Sequence, residues 1–195
     1  SVSVAGRAIA YAEYGDPAGR PVVLLHGTPG SRRLGELFAS AAAEQGVRLL
    51  AVDRPGYGDS DAWPERSIRD SGRIVAAVID DADIEQASVV GFSGGGPHAL
   101  AVAATHPDRV RSVDVVSGAT PPSVGPTPLA QRLLAGLAAA TPRLFGGLFG
   151  LQAWIAAHGS PAVFLSQYTD RDIETFEQAT VDHLTAEFVA AVGGS

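Results

Sequence analysis

Short apolar segments alternate with amphipathic ones through the first 118 residues. The apolar segments are residues 22–25, 47–52, 88–90 and 110–116. Strands that are buried on both faces of a parallel sheet have this largely continuous apolar character. The segments that predict helices are residues 31–45, 67–81 and 97–105. This alternation of strand and helix predicts a doubly wound, mostly parallel α/β sheet.

The amino-terminal segment predicts a β-hairpin. Residues 2–4 and residues 8–14 have strand character, and Gly6 and Arg7 lie between them as the turn. Residues 16–19, Asp-Pro-Ala-Gly, have the composition of a second turn. The first buried strand of the sheet is therefore expected only after this turn.

The pattern changes near residue 119, where strand segments stop and helical segments continue. A proline-rich linker occupies residues 120–128. The helical segments beyond it are residues 129–140, 142–158, 160–167 and 169–192. We predict an α/β core over residues 1–119 and a helical lid over residues 120–195. The first six strands of the sheet are then present, and its last strands are expected to be missing from this chain.

The composition excludes several classes of function. Of the 195 residues, 46% are hydrophobic and 18% are charged, which allows a packed core. The absence of cysteine excludes disulfides, zinc-thiolate sites and a cysteine nucleophile. A net charge of −7 argues against nucleic acid, because phosphates require a basic surface. The sequence shows no signal peptide and no membrane span, so we expect a cytoplasmic protein.

The strongest chemical signal is a glycine-rich turn around Ser93. Residues 91–95, Gly-Phe-Ser-Gly-Gly, lie between the strand segment 88–90 and the helix segment 97–105. A G-x-S-x-G turn between a strand and a helix places the serine hydroxyl above the carboxyl edge of a sheet. The following helix also directs its positive end towards a developing oxyanion. Ser93 is therefore the predicted nucleophile, and the alternative is a glycine-rich turn in which the serine is incidental.

A second loop supports this prediction. Residues 26–30, His-Gly-Thr-Pro-Gly, directly follow the apolar segment 22–25. A loop in this place can donate a backbone N–H to the oxyanion, beside the N–H of the residue after the nucleophile. We predict that the oxyanion hole consists of the backbone N–H groups of Thr28 and Gly94. The residues expected to support the loop are His26, Gly27 and Gly30.

A third loop, residues 53–60, follows the apolar segment 47–52. Its sequence is Asp-Arg-Pro-Gly-Tyr-Gly-Asp-Ser, which combines charged residues with glycines that permit sharp turns. Charged side chains in such a loop can hold it through hydrogen bonds to backbone groups. We expect Asp53, Arg54 and Asp59 to be structural rather than catalytic.

These three loops, in this order, closely resemble the α/β-hydrolase superfamily, and with the strand spacing the resemblance extends over residues 1 to about 118. It implies an eight-stranded core, a helical lid after the sixth strand and a Ser-Asp-His triad. A serine at position 93 differs from the dehalogenase and epoxide-hydrolase branches, which have aspartate there. The loop at 26–30 is similar to that of prolyl iminopeptidases and small esterases. Gly94 stands where prolyl iminopeptidases typically have tryptophan, which weakens the peptidase interpretation.

The triad acid and base are not evident in the sequence. In this fold both residues follow the last strands, and no strand segment is predicted after residue 116. If residues 161–165 formed a strand, Asp170 or Asp172 could be the acid and His183 the base. We favour helices, because Ser160 and Pro161 form a helix start and the apolar periodicity continues beyond them. The acid and base are therefore expected outside this chain, with His183 as the weaker alternative.

Two functions are compatible with these features. The first is a serine hydrolase that cleaves a small, mostly apolar ester, lactone or amide through an acyl-enzyme at Ser93. The alternative is a catalytically silent α/β-hydrolase module that binds a ligand or partner. No metal or cofactor is implied, because the sequence has neither H-E-x-x-H nor a P-loop lysine motif. The expected partners are the small substrate and the remainder of the hydrolase fold, as a second chain or a missing segment.

Overall fold

The computed structural model describes residues 1–118, 140–158 and 178–193, with helical positions 129, 132, 133 and 136. The chain divides into two compact units, Ser1–Ala119 and Thr120–Gly193. The strands of the first unit are β1 (Val2–Val4), β2 (Arg7–Ile9), β3 (Tyr11–Gly15), β4 (Arg20–Leu25), β5 (Val47–Val52), β6 (Ala87–Phe92) and β7 (Val110–Val116). Its α-helices are α1 (Ala39–Glu44), α2 (Asp70–Asp81) and α3 (Gly96–Thr105), and a 3-10 helix over Arg32–Phe38 leads into α1.

Five strands form the main sheet, in the order β3-β5-β4-β6-β7. The strands β5, β4, β6 and β7 are parallel, and β3 runs antiparallel to β5. The chain passes from β4 to β5 on one side and then to β6 on the other side of β4. The carboxyl ends of β4 and β6 therefore flank the point where the strand order reverses, which is where open α/β sheets place their ligands.

The apolar runs of the central strands supply both faces of this sheet. In β5, Leu50 and Val52 belong to the core on one face, whereas Leu49 and Ala51 belong to the core on the other. The first core includes residues of α2 and α3, such as Ile79 and Val102, and the second includes Ala42 of α1. Because successive side chains of a strand point to opposite faces, a strand between two helical layers must be apolar throughout.

Several sequence-based boundaries are wrong. Arg7, predicted in the hairpin turn, is the first residue of β2, and the predicted helix 31–45 is a 3-10 helix followed by the short α1. The segment 8–14 is not one strand, because Ala10 separates β2, which pairs with β1, from β3, which pairs with β5. The N–H of Ala10 donates to Ser60 Oγ at 2.9 Å, and its carbonyl accepts from the N–H of Asp53. Hydrogen bonds to the loop after β5 therefore interrupt the strand. In the same way α2 begins at Asp70 rather than at Ser67, because a turn precedes it.

The strand β7 lies at the end of the main sheet. Val115 and Val116, at the carboxyl end of β7, are 44% and 48% exposed. No described residue pairs with the free edge of this strand. Folded proteins normally pair or cover an apolar edge of this kind.

The described helices of the second unit are α4 (Pro142–His158) and α5 (Gln178–Gly193). They pack through a small apolar cluster that consists of Ala153, Ala156, Val181, Leu184 and Phe188. The predicted linker 120–128, the predicted helix 160–167 and the start of the last predicted helix lie outside the described residues, as do Asp170 and Asp172. None of the helices in the described part of the chain has both the length and the apolar character that a membrane crossing requires.

The packing between the sheet and α2 leads to a stability prediction. Ile79 on α2 is completely buried, so Ile79→Ala should lower the free energy of unfolding by about 2–5 kcal/mol through lost contacts and a cavity. The matched control is Ile68→Ala, because Ile68 is 45% exposed and its loss should cost less than about 0.5 kcal/mol. Urea denaturation of both variants is the measurement, and equal losses would contradict the assigned burial.

Candidate active site

Ser93 follows β6 directly and occupies a strained backbone conformation. Its φ angle is +49°, in the left-handed region that residues with a Cβ rarely adopt. A single 3-10 turn over Ser93–Gly95 then leads into α3. The backbone therefore reverses sharply at the serine, as expected for a residue whose side chain is presented at the end of a strand.

The glycines around Ser93 are required by close backbone contacts. A Cβ atom on Gly91 would lie 2.6 Å from the carbonyl oxygen of Gly95, and one on Gly95 would overlap the carbonyl oxygen of Leu25. Leu25 is the last residue of β4, which pairs with β6 through Leu25 and Gly91. The turn is thus packed against the backbone of the neighbouring strand, and this packing holds the strained residue in place.

The loop at 26–30 lies beside this turn. A Cβ atom on Gly27 would lie 3.3 Å from Ser93 Cβ, and one on Gly94 would lie 2.5 Å from Thr28 Oγ1 and 3.3 Å from the backbone nitrogen of Thr28. The structure therefore brings Thr28 next to Ser93 and Gly94, although Thr28 is distant from both in the sequence. The role of the two backbone N–H groups in an oxyanion hole stays a prediction.

His26 connects the loop at 26–30 to the loop after β5. Its Nδ1–H donates to the carbonyl of Gly27 at 2.8 Å, and its Nε2 accepts from the backbone N–H of Arg54 at 3.0 Å. The N–H of Arg54 can only donate, so the proton of the neutral imidazole is on Nδ1. Burial and the nearby Arg54 guanidinium lower the pKa of His26 to about 3. Both ring nitrogens are occupied, so His26 is suited to holding the loops and not to accepting a proton.

Arg54 makes the second connection between these loops. Its Nη2 donates to the carbonyl of Gly27 at 2.6 Å and to Thr28 Oγ1 at 2.7 Å. Its guanidinium carbon lies 4.8 Å from the centre of the Tyr57 ring, a cation–π contact. Only 6% of Arg54 is exposed, and burial lowers the pKa of the guanidinium. These contacts agree with a structural role for Arg54.

Asp53 stabilises the loop at 53–60 through contacts with Asp59 and Arg32. Its carboxylate accepts from the backbone N–H of Arg32 at 2.5 Å and from that of Asp59 at 3.0 Å, and it forms an ion pair with the Arg32 guanidinium. Asp53 is completely buried, whereas the Asp59 side chain, which also pairs with Arg32, is 73% exposed. The carboxylate thus accepts from one backbone donor of its own loop and from one at the start of the 3-10 helix, which agrees with a structural role.

Among the hydrogen bonds described in the first unit, none joins another histidine to Ser93. His98 on α3 accepts from Arg54 Nη1 at 3.3 Å through Nε2 and donates to Ser71 Oγ at 2.7 Å through Nδ1. Burial, together with Arg54 and Arg66, lowers the pKa of His98 to about 4. His183 lies on α5 of the second unit, and its assignment as a base stays a prediction.

Two parts of this site have no signal in the sequence. Arg32 is the partner of Asp53, and Ser71 is the partner of His98, at separations of 21 and 27 residues. Neither residue belongs to one of the three loop motifs, so no local pattern indicates the pairing. Within residues 1–118, 140–158 and 178–193, no group of three or more histidine or acidic side chains could hold a metal ion.

Comparison with known proteins identifies the family. Residues 20–152 match the α/β hydrolase fold family. The chain belongs to this family. Relatives include a 2-hydroxy-6-oxononadienedioate/2-hydroxy-6-oxononatrienedioate hydrolase of Cupriavidus pinatubonensis, 37% identical over 109 residues, and epoxide hydrolase B of Mycobacterium tuberculosis, 38% identical over 105 residues. These matches cover 51% and 52% of this chain, but only 36% and 30% of the relatives. The matched part thus spans about a third of the length of these α/β hydrolases.

Similarity to solved structures extends over more of the chain. An esterase from Rhodococcus sp. ECU1013 is 30% identical and has a TM-score of 0.64. The comparison covers 97% of this α/β hydrolase and 67% of the esterase chain. The predicted α/β-hydrolase fold and the resemblance to this superfamily are therefore confirmed.

The two aspartates that pair with Arg32 provide a matched test of the loop. Asp53→Asn should lower the free energy of unfolding by about 3 kcal/mol, because the buried side chain loses its ion pair with Arg32 and one of its two acceptor oxygens. Asp59→Asn should cost about 1 kcal/mol or less, because an exposed ion pair contributes little. Urea denaturation measures both. A collapse of turnover in Asp53→Asn at unchanged stability would contradict the structural role.

The neutral imidazoles predict a pH dependence of stability. The pKa values of His26 and His98 are lowered from 6.5 to about 3 and about 4, so the unfolded chain binds protons that the folded protein does not. The contribution of the two neutral rings to the free energy of unfolding is complete above about pH 6.5. It decreases as the pH falls towards the folded-state pKa values. In His98→Gln the free energy of unfolding should therefore depend less steeply on pH between about 7 and 5 than in the wild type. Parallel curves in urea denaturation would show that His98 is not a neutral buried group.

Proposed function

We propose that this α/β hydrolase is a serine hydrolase that cleaves a small, mostly apolar ester, lactone or amide through an acyl-enzyme at Ser93. The observation that carries the proposal is the strained turn at Ser93, where φ is +49° and the serine lies beside the loop at 26–30. Strain at a single residue that the surrounding backbone enforces is typical of functional sites. An esterase among the structural relatives, 30% identical, supports the ester as substrate class.

The first step of the proposed reaction is attack by Ser93 Oγ on the substrate carbonyl carbon. A general base takes the hydroxyl proton, and the carbonyl electrons move to oxygen to give a tetrahedral oxyanion. The leaving alcohol or amine then takes the proton from the conjugate acid of the base, and the acyl-enzyme remains. Water, deprotonated by the same base, attacks this acyl group, and the acid product leaves with Ser93 Oγ protonated again.

The oxyanion is proposed to accept hydrogen bonds from the backbone N–H groups of Thr28 and Gly94. The peptide group between Gly27 and Thr28 supports this proposal, because its carbonyl end accepts from both His26 Nδ1 and Arg54 Nη2. A charged donor at the carbonyl oxygen polarises the peptide, so its N–H end becomes a stronger donor. Arg54 would thus act on the oxyanion through the peptide group, as a positioning residue.

The base and the acid are proposed to come from the remainder of the hydrolase fold, as a second chain or a further segment. The engaged histidines support this part: in the first unit, His26 and His98 both use their two ring nitrogens in other hydrogen bonds. His183 stays the alternative base, and the second unit the proposed lid. The same engaged histidines favour the second candidate function, a catalytically silent module that binds a ligand or a partner.

A fluorophosphonate probe tests the proposed nucleophile. In the intact protein the probe should label Ser93, because an activated hydroxyl attacks the phosphorus as it attacks a carbonyl. Ser93→Ala should abolish labelling. Ser112→Ala is the matched control and should label fully, because the hydroxyl of this exposed serine only donates to Ser88 Oγ.

Absence of labelling at Ser93 in the intact protein would reject the serine hydrolase and support the silent module. If the wild-type protein is labelled, it is digested and the modified peptide is sequenced. Modification of a peptide that lacks Ser93 would also reject the proposed nucleophile.

A further inference from the structure

The side chain of Thr28 lies against the residue that follows the candidate nucleophile. A Cβ atom on Gly94 would lie 2.5 Å from Thr28 Oγ1 and 3.1 Å from Thr28 Cβ. Both distances are shorter than ordinary contacts of a Cβ atom, so the Thr28 side chain occupies the space that a side chain at position 94 would need. Its hydroxyl is therefore adjacent to Gly94, whose backbone N–H is a proposed oxyanion donor.

Arg54 determines which way this hydroxyl can donate. Arg54 Nη2 donates to Thr28 Oγ1 at 2.7 Å. A guanidinium has no acceptor, so the hydroxyl accepts in this contact and its own hydrogen must point elsewhere. Among the hydrogen bonds of the described residues, none is donated by Thr28 Oγ1. The O–H of Thr28 therefore remains available as a donor.

The surroundings of Thr28 allow a substrate to reach this donor. Thr28 is exposed, and Ser93 and Gly94 are half-buried, whereas Arg54 behind the hydroxyl is only 6% exposed. A Cβ atom on Gly27 would lie 3.3 Å from Ser93 Cβ, so the loop that bears Thr28 is in contact with the nucleophile turn. A charged donor at the hydroxyl oxygen polarises the O–H bond and makes it a stronger donor.

We propose that the side-chain hydroxyl of Thr28 is a third donor to the oxyanion, beside the backbone N–H groups of Thr28 and Gly94. This inference rests on the proposed reaction at Ser93 and adds a catalytic residue to it. No proton is transferred: the hydrogen stays on Thr28 Oγ1, and its hydrogen bond strengthens as the substrate oxygen becomes negative. The hydroxyl therefore stabilises the transition state more than the bound substrate.

The rate of fluorophosphonate labelling tests this donor in the intact protein. Ser93 Oγ displaces fluoride from phosphorus, the general base takes the hydroxyl proton, and the phosphoryl oxygen carries the developing negative charge. Thr28→Val replaces the hydroxyl by a methyl group and keeps the backbone N–H. The maximal labelling rate should fall at least about tenfold, because a lost oxyanion donor has an effect of this order or larger. The probe concentration that gives half the maximal rate should stay unchanged, because the bound probe has not yet developed the charge.

Two further variants separate the hydroxyl from the shape of the side chain. Thr28→Ser keeps the hydroxyl and should label much faster than Thr28→Val. Thr105→Val is the matched control, because the Thr105 hydroxyl donates to the carbonyl of Ala101 within α3, and it should label at the wild-type rate. Urea denaturation verifies that each variant is folded. If Thr28→Val does not fold, Thr28→Ala replaces it, because it also lacks the hydroxyl and adds no atom beside Gly94.

The possible outcomes distinguish this inference from the proposed function. If the protein without the Thr28 hydroxyl labels at the wild-type rate, or Thr28→Ser is as slow as Thr28→Val, the third donor is rejected and Ser93 remains the nucleophile. A lower rate that saturating probe restores would assign the hydroxyl to probe binding and would also reject it. If the wild-type protein is not labelled at Ser93, the proposed function fails, and the role of Thr28 fails with it.

Discussion

The buried side chain and backbone of Arg54 join the two loops on which the candidate site depends. The guanidinium holds the carbonyl of Gly27 and the hydroxyl of Thr28, while the backbone N–H of the same residue holds the ring of His26. The ends of β4 and β5 are thereby tied together through Arg54 and His26, which are 6% and 1% exposed. Without these contacts the His26 ring and the carbonyl of Gly27 would be buried without partners, which is costly in a protein interior.

The buried guanidinium also determines the protonation of its surroundings. His26 and His98 are both neutral because they are buried and because Arg54 disfavours a second positive charge. A neutral imidazole can accept at one nitrogen and donate at the other, and both rings do so. A charged imidazole could only donate, and the contact with Arg54 would be lost in each case.

Strain at Ser93 and close packing around it are two aspects of one arrangement. The left-handed backbone at Ser93 is unfavourable by itself, but Gly91 and Gly95 allow the turn to pack against the end of β4. The parallel pairing of β4 with β6 brings the turn and the loop at 26–30 to one edge of the sheet. The apolar cores on both faces of the sheet stabilise this geometry, so the strain is retained in the folded protein.

Much of the fold follows from local patterns in the sequence. The strands β5 and β7 and the helix α4 have the predicted bounds, because continuous apolar runs and helical periodicity directly reflect which faces are buried. The turn at residues 91–95 is equally local, since a strained serine requires glycine neighbours at fixed positions. The sequence does not predict the split of the segment 8–14 at Ala10, because the split results from hydrogen bonds to Asp53 and Ser60, which are distant in the chain.

The sequence by itself therefore determined the α/β class, the alternation of strands and helices and the position of Ser93. Only the tertiary structure decided which polar groups meet: Arg32 with Asp53, Arg54 with the loop at 26–28, and His98 with Ser71. Periodicity reports whether a side chain is buried, but it does not report which other buried group lies opposite. That partner depends on the order of the strands in the sheet, because β4, β5 and β6 bring together loops that are distant in the chain.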